Sequence, residues 1–351
     1  MGHAEGNGIE IRTDKCGFIL AGGGSYGSFQ AGVLDYLINQ ANADYKGIYG
    51  ISIGAVNAAN LAGAGPGQDG LSKQCDQLLY MWEHMTDIFH HLPFLPPKDF
   101  IDAYSVNFCH LLTQSLFKAS SLQKYITEIF TDELLANLYA LHRYFAVGTV
   151  SEVDGRMHMF RNEVAVRNVE MRRQLVDYVV GSMSMPAFFP PSMITIDDCQ
   201  HKCFDGGLRE PCPVQTAYED DRYEWLVVIN CNADRIKLDF TSSRLTQYLA
   251  RAMDIFHSSL IVGDVRTAVA VSSVLKAADL DEITIDIGGR TQTFGRTNIL
   301  YIEPENENNL LFDSLLDFAP KKIQSAMDYG RLCAGNVIRK LGVTFVPPTD
   351  S

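Results

Sequence analysis

The chain has 351 residues, of which 46% are hydrophobic and 20% are charged, and its formal net charge at pH 7 is −13. This length and composition suit one large α/β domain or two ordinary domains with a substantial core. The negative charge argues against nucleic-acid binding and against broad adhesion to anionic membranes, because both partners would be repelled at long range. The charge is compatible with local contact between the protein and a lipid surface.

The spacing of the cysteines and the hydropathy of the chain indicate the cellular compartment of the protein. The eight cysteines lack the spacing of a disulfide framework, and no signal-peptide pattern precedes the first predicted strand. No run of about 18 uninterrupted apolar residues occurs, so no membrane-spanning helix is predicted. We therefore expect free thiols and a cytoplasmic protein, with peripheral contact at membranes left open. The oligomeric state is not predicted.

The predicted strands and helices alternate along the chain. Strands are expected at 16–20, 45–49, 144–150, 156–161, 225–230, 282–287 and 299–302. Helices are expected at 28–40, 55–61, 71–91, 105–117, 121–130, 132–141, 169–184, 246–275 and 320–341. Residues 1–14 are expected to form a flexible arm, and residues 15–345 a single domain because no polar linker divides them. The alternation predicts a three-layer α/β/α fold with a mainly parallel central sheet.

A sharp turn that carries a serine is predicted after the second strand. The segment GISIG at 50–54 fits the pattern G-x-S-x-G, between that strand and the small-residue helix that begins at Ala55. In this pattern Gly50 and Gly54 let the backbone pass close to the serine, and the positive end of the helix dipole lies near the serine oxygen. Ser52 is therefore the candidate nucleophile, and a purely structural turn is the alternative.

A second glycine-rich turn follows the first predicted strand. Its sequence, GGGSYG at 22–27, also fits the dinucleotide-binding pattern G-x-G-x-x-G. That interpretation needs an acidic residue about 20 positions further on, and Asp35 and Asp44 are poorly placed for it. We favour a loop whose backbone N–H groups stabilise an oxyanion, and we keep nucleotide binding as the alternative function. The candidate oxyanion-hole residues are Gly22, Gly23, Gly24, Ser25 and Tyr26.

Two types of side chain compete as the base for Ser52. Nine histidines are available, so counting leaves a Ser-Asp-His triad open. After Asp205 the only histidine is His257, and its helical spacing with Met253 and Leu260 favours a histidine on a helix face. Asp205 itself precedes two glycines at the end of an apolar stretch, and such a turn lets a carboxylate reach another loop.

A zinc site is the remaining alternative for polar residues near Asp205. Cys199 and Cys203, with Cys212 downstream, have the spacing of half a structural site, but a second tight pair is missing. Free cysteines are therefore favoured. No metal and no cofactor is predicted.

Four segments, in order, resemble the patatin-like phospholipases. They are the GGGSYG loop, the GISIG turn, the proline- and phenylalanine-containing segment at 181–191 and the sequence DGG that begins at Asp205. The resemblance covers residues 15–340 and implies a patatin-like fold with a Ser-Asp dyad that needs no histidine. Ser52 would be the nucleophile, Asp205 the base and the glycine loop the oxyanion hole. The implied activity is that of a phospholipase A-like lipid acyl hydrolase, which cleaves fatty-acyl esters of phospholipids or related glycerolipids.

Two positions depart from the pattern of that family. Tyr26 stands where the glycine loop commonly carries Arg or Lys, and Glu210 precedes Pro211 where Asn is common. Loss of the positive charge would weaken the stabilisation of the anion or shift the preferred head group. We expect neither change to abolish activity. A catalytically silent scaffold with the same fold is a further alternative, which Tyr26 favours.

Overall fold

The computed structural model describes residues 8–90, 119–140, 142–163, 169–186, 188–220, 223–232, 245–287, 290–305 and 317–348. The helix predicted at 105–117 lies outside these residues. The strands are β1 (Ile9–Arg12), β2 (Cys16–Leu20), β3 (Gly47–Gly50), β4 (Tyr144–Ser151), β5 (Met157–Arg161), β6 (Ser192–Ile196), β7 (Cys199–Asp205), β8 (Trp225–Ile229), β9 (Glu282–Ile287), β10 (Arg290–Gly295), β11 (Asn298–Ile302) and β12 (Val343–Val346). The α-helices are α1 (Gly27–Asp35), α2 (Ile53–Ala62), α3 (Gly67–His90), α4 (Ala119–Ile129), α5 (Asp132–Tyr139), α6 (Val169–Ser182), α7 (Val214–Glu219), α8 (Leu245–Ala278) and α9 (Pro320–Leu341).

Most of these strands form one eight-stranded sheet. Its order is β11-β8-β2-β3-β4-β7-β6, and β5 also pairs with β4. The five strands from β11 to β4 are parallel, whereas β5, β7 and β6 run antiparallel to their neighbours. The predicted α/β fold with a mainly parallel central sheet is therefore confirmed.

Helices cover both faces of the sheet because its central strands are apolar on both faces. Phe18 and Leu20 of β2 belong to a core that also contains residues of α1, α2, α3, α6 and α9. Ile19, which lies between them in the sequence, packs with residues of α7 and α8. Successive side chains of a strand point to opposite faces, so the continuous apolar sequence of β2 produces the three layers.

The pairing of β4 brings the ends of β3 and β7 together. Strand β4 pairs with β3 as far as the Val147–Gly50 pair, and with β7 from the Thr149–Asp205 pair onward. Strand β5 pairs with β4 over 146–150 and so occupies the other edge. Strands β3 and β7 therefore follow one another along a single edge of β4, and the chain that leaves β3 meets the end of β7.

The two ends of the described chain pair with each other. Residues 1–14 are predicted to form a flexible arm, but Ile9–Arg12 forms strand β1, which pairs in parallel with β12. The sequence analysis also misses β6, β7, β10, β12 and helix α7. These elements are short, and a short strand gives little local signal because it is stable only when it is paired.

Helix α8 packs on the sheet along one side. Ile261, Val265 and Ala268 are buried, whereas Ile255 and Val274 are more than half exposed. By length and composition, the segment Arg251–Ala278 is apolar enough to cross a membrane, with a mean hydropathy of 1.4. Core helices of soluble proteins meet the same criterion, so this is weak evidence for a membrane span.

Helices α1 and α9 pack through glycines. A Cβ at Gly32 would lie 1.9 Å from the carbonyl oxygen of Met327, and a Cβ at Gly330 would lie 2.2 Å from that of Phe29. These are backbone atoms, which cannot move aside as the end of a flexible side chain can. The close approach of the two helices therefore depends on the absence of both Cβ atoms.

Gly32→Ala should lower the free energy of unfolding by about 3 kcal/mol or more, because the new methyl group overpacks the α1–α9 contact. Gly263→Ala on α8 is the matched control, since a Cβ there meets nothing within 4 Å. It should raise stability by up to about 1 kcal/mol through helix propensity. Urea denaturation measures both values, and equal effects would contradict the packing described.

Candidate active site

Ser52 lies in the turn between β3 and α2 with a strained backbone. Its φ is 55° and its ψ is −127°, a combination that residues with side chains rarely adopt. The residue forms the N-cap of α2, and its backbone N–H donates a hydrogen bond of 2.9 Å to Ser182 Oγ at the end of α6. The strained turn is therefore held from both sides, by its own helix and by α6.

Gly50 and Gly54 occupy positions where the turn leaves no room for a side chain. A Cβ at Gly50 would lie 2.2 Å from the carbonyl oxygen of Gly54. A Cβ at Gly54 would lie 2.3 Å from the carbonyl oxygen of Leu20 in β2. The two glycines thus permit the tight strand-to-helix turn that exposes a serine side chain at its tip.

The structure places Asp205 beside Ser52, although the two residues are far apart in the sequence. Both residues line the same pocket, and the Ser52 side chain is close enough to the Asp205 carboxylate to lower its pKa. Asp205 Oδ1 also accepts a hydrogen bond of 2.7 Å from the N–H of Gly207. The backbone N–H of Asp205 donates to the carbonyl oxygen of Ser184 over 3.0 Å. These contacts hold the carboxylate at the end of β7, toward the serine.

Burial raises the pKa of Asp205 to about 7. The residue is 1% exposed, and loss of hydration disfavours the charged form of a carboxylate. The hydrogen bond from Gly207 and the nearby Ser52 side chain lower the pKa and oppose this effect only in part. A carboxylate with a pKa near neutrality is better matched to proton transfer at that pH than an ordinary aspartate.

The glycine loop borders the same pocket at Gly23 and Gly24. The N–H of Gly22 is already engaged with the carbonyl oxygen of Pro211 at 2.8 Å, and the N–H of Tyr26 with that of Gly23 at 3.1 Å. For the N–H groups of Gly23 and Gly24, no backbone acceptor is found within the described part of the chain. Of the five predicted oxyanion-hole residues, these two are the candidate donors.

Side chains from the end of β8 and from α1 hold the glycine loop. Asn232 Nδ2 donates to the carbonyl oxygen of Gly22 over 2.8 Å, and the Cys231 thiol donates to the same oxygen over 3.2 Å. Gln30 Nε2 donates to the carbonyl oxygen of Ala21 over 2.7 Å. The sequence analysis misses these residues, because the contacts of Asn232 and Cys231 join distant parts of the chain and carry no local pattern.

Neither residue that departs from the family pattern lines the pocket. Tyr26 is 1% exposed and packs in the main core, and Ser25 is also buried. Glu210 accepts hydrogen bonds from the N–H and the hydroxyl of Thr216, at 3.1 and 2.7 Å, and so caps the first turn of α7. Both side chains lie behind the pocket and are not among its described lining residues.

Apolar side chains form most of the pocket wall. The residues described at the pocket are Gly23, Gly24, Ser52, Ile53, Met183, Met185, Phe189, Asp205, His257 and Phe318. Met183, Met185 and Phe189 belong to the segment that follows α6, where the sequence resembles the patatin-like phospholipases. None of these lining residues is Lys or Arg. The described part of the wall is therefore mainly apolar and carries no positive side chain.

His257 also lines the pocket, from helix α8. His257 lies on a helix, as predicted, but its ring is 3% exposed and turned inward. Burial lowers the pKa of His257 to about 4, so the imidazole is neutral near pH 7. A Cβ at Gly207 would lie 2.8 Å from His257 Nε2, which places the ring directly against the turn that follows Asp205.

The cysteines of the zinc alternative do not form a cluster of ligands. Cys199 is exposed, whereas Cys203 and Cys212 are buried, and all three are free thiols. Among the residues that the structure describes, no group of three or more His, Cys, Asp or Glu side chains is arranged to hold a metal ion. The sequence pattern at 199–212 is therefore not accompanied by a site in the described fold.

Comparisons with known proteins agree with the resemblance seen in the sequence. The model of the family described as patatin-like phospholipase matches residues 18–218. Among solved structures, VipD from Legionella pneumophila aligns with a TM-score of 0.43 and 12% identity, over 97% of this chain and 72% of VipD. Human GIVD cytosolic phospholipase A2 aligns with a TM-score of 0.46 and 9% identity, over 94% of this chain and 60% of that enzyme. A search of curated proteins found no match.

Ser52→Gly should be more stable than Ser52→Ala by about 1 kcal/mol, because glycine adopts the positive φ without strain. Both variants lose the same hydroxyl, so their difference reports the backbone alone. The control pair is Ser273→Gly and Ser273→Ala, at an exposed position of α8. There glycine should be less stable than alanine by about 1 kcal/mol. Thermal or urea unfolding measures the four variants, and the same sign at both sites would contradict strain at Ser52.

Asp205→Asn should become progressively more stable than the wild type as pH rises from about 4 to about 7. The carboxyl has its ordinary pKa of 3.8 in the unfolded chain and a pKa of about 7 in the folded protein. Over this range the folded state binds more protons, so wild-type stability falls as pH rises, by roughly 4 kcal/mol from this one group. Urea titrations at either end of the range measure the difference between the two proteins. A difference that does not change with pH would contradict the raised pKa.

Proposed function

This chain belongs to the patatin-like phospholipase family, and from that premise we propose that it is a lipid acyl hydrolase that uses Ser52 as nucleophile and Asp205 as base. Its proposed substrates are fatty-acyl esters of phospholipids or related glycerolipids. The observation that carries the proposal is the strained Ser52 beside a buried Asp205 in a pocket with apolar walls. No cofactor takes part in the proposed reaction.

In the acylation step, Ser52 Oγ attacks the ester carbonyl carbon while its proton passes to Asp205. The negative charge on the carbonyl oxygen is stabilised by the N–H groups of Gly23 and Gly24, and by the positive end of helix α2. When the tetrahedral intermediate collapses, the bond to the alcohol breaks and the alcohol oxygen takes the proton from Asp205. The fatty acid is then esterified to Ser52.

In the deacylation step, water attacks the carbonyl carbon of the acyl-enzyme and gives a proton to Asp205. Collapse of the second intermediate breaks the bond to Ser52 Oγ, which recovers the proton from Asp205. The same carboxylate therefore serves as acceptor and donor in both halves of the reaction. A pKa of about 7 supports this double use, because protonated and deprotonated forms are then close in free energy near neutral pH.

The pocket lining favours this proposal over nucleotide binding. A dinucleotide site would bring phosphate groups to the glycine loop, but the described lining holds the carboxylate of Asp205 and no Lys or Arg. The strain at Ser52 argues against a silent scaffold, since a costly backbone conformation at a pocket residue is typical of functional sites.

Access to lipid is supported by two exposed apolar residues beside the pocket. Ile255 and Phe256 are 55% and 42% exposed, and they directly precede the pocket residue His257 on α8. Burying such side chains in an interface is favourable and needs no positive charge. We propose that a cytoplasmic protein makes transient contact with a membrane surface here. The net charge of −13 favours zwitterionic over strongly anionic surfaces.

The test is to incubate wild type, Ser52→Ala and Asp205→Asn with a mixed lipid extract and to identify the released fatty acids. The wild type should release fatty acids, and both variants should lose about 10³-fold or more of the rate, since nucleophile and base act as a unit. Ser273→Ala, on an exposed part of α8, is the control and should keep full activity.

Labelling by a fluorophosphonate probe separates the alternatives. The proposal requires a label on Ser52 in the wild type and none in Ser52→Ala. A nucleotide-binding protein has no reason to react with the probe. A silent scaffold would release no fatty acid from any lipid and no product from activated esters. Near-normal turnover by Asp205→Asn would eliminate the proposed base.

A further inference from the structure

Helix α8 places the buried imidazole of His257 at the pocket, where its hydrogen-bonding nitrogens are not satisfied. His257 begins a buried stripe that continues through Ile261, Val265 and Ala268 at helical spacing, and it is the only polar one of these four. Neither ring nitrogen has a hydrogen-bond partner among the described residues. Buried polar groups are nearly always hydrogen-bonded, and an unsatisfied one destabilises the fold. An apolar side chain would serve packing better at this position.

The ring lies within bridging distance of the proposed base. The position that a Cβ would take at Gly207 is 2.8 Å from His257 Nε2 and 3.0 Å from Asp205 Oδ1. The two atoms are therefore no further apart than the sum of two ordinary hydrogen bonds of about 2.9 Å. A separation within this limit is one that a single oxygen atom can span with two hydrogen bonds. The absence of a side chain at Gly207 is what brings the imidazole this close.

The other polar groups of the pocket leave one role unfilled. The Gly23 and Gly24 amides face the proposed oxyanion, and Asp205 exchanges protons with Ser52. The mechanism also needs an oxygen to be held beside Asp205, that of the leaving alcohol in acylation and that of water in deacylation. Asp205 binds one hydrogen of that water and cannot orient it alone. The remaining lining of the pocket is apolar.

We propose that His257 hydrogen-bonds this incoming or departing oxygen together with Asp205, and so positions water for hydrolysis of the acyl-enzyme. The inference rests on the proposed function and adds a third polar side chain to the dyad. Burial keeps the imidazole neutral, so one ring nitrogen is free to accept the second hydrogen of the water.

The proton balance assigns no proton transfer to His257. In deacylation the water oxygen bonds to the acyl carbon, one water proton moves to Asp205, and the bond to Ser52 Oγ breaks as that proton passes to Ser52. The imidazole accepts a hydrogen bond throughout and ends in the state in which it began. It differs in this from the histidine of a Ser-Asp-His triad, which removes the proton from the serine.

The test compares wild type, His257→Phe and His257→Gln on a p-nitrophenyl ester of a medium-chain fatty acid. Its leaving group departs as a phenolate without needing a proton, so loss of His257 should slow deacylation more than acylation. His257→Phe should lose about tenfold or more in steady-state turnover. Intact mass spectrometry should find a larger acylated fraction of the enzyme at steady state than in the wild type. His257→Gln, which restores a hydrogen-bonding group, should recover part of the turnover.

Two controls separate this role from a purely structural one. His257→Phe should have a Tm equal to or above the wild-type value, because an unsatisfied buried ring is replaced by an apolar ring of similar shape. His84→Phe, on the exposed face of α3, should leave turnover and the acylated fraction unchanged.

The inference is overturned if an active wild type and His257→Phe turn over equally, or if the acylated fraction in His257→Phe does not rise. A fall in turnover that accompanies a lower Tm and is not rescued by His257→Gln would also overturn it. If the wild type itself forms no acyl-enzyme and Ser52 is not labelled, the proposed function fails and the inference fails with it.

Discussion

The candidate site depends on the change of partner along one edge of strand β4. Up to Val147 this edge pairs with β3, and from Thr149 it pairs with β7. The turn that leaves β3 carries Ser52, and the last residue of β7 is Asp205, so the two side chains meet where one strand ends and the other arrives. A slip of one residue in the β7 register would turn Asp205 to the opposite face of the sheet and separate it from Ser52.

The same arrangement sets the electrostatics of the pair. Asp205 is buried among apolar side chains, so its charged form costs free energy, and its pKa is raised to about 7. Ser52 holds an unfavourable backbone conformation, kept in place by α2 and by Ser182. Both features destabilise the folded state, and in the proposed mechanism they make the pair more reactive. The glycine-mediated packing of α1 and α9 stabilises the same domain away from the pocket.

The residues that line the pocket come from the segment that matches the family and from the chain that follows it. Ser52, Asp205 and the glycine loop lie within residues 18–218, whereas His257 and Phe318 reach the pocket from α8 and from the chain just before α9. The matched segment thus supplies the proposed acyl-transfer chemistry. His257 and Phe318, which lie after the matched segment, complete the described lining of the pocket.

The sequence by itself determined what local patterns carry. The alternation of strands and helices predicted the parallel sheet, and GISIG at 50–54 predicted a tight turn, because strand, turn and glycine preferences act between near neighbours. Only the tertiary structure brought Asp205 to Ser52, occupied the amide of Gly22 with Pro211, buried Tyr26 in the core and turned His257 toward the pocket. Each of these is a contact between distant segments. It is decided by strand register and helix packing, which leave no mark in the spacing of neighbouring residues.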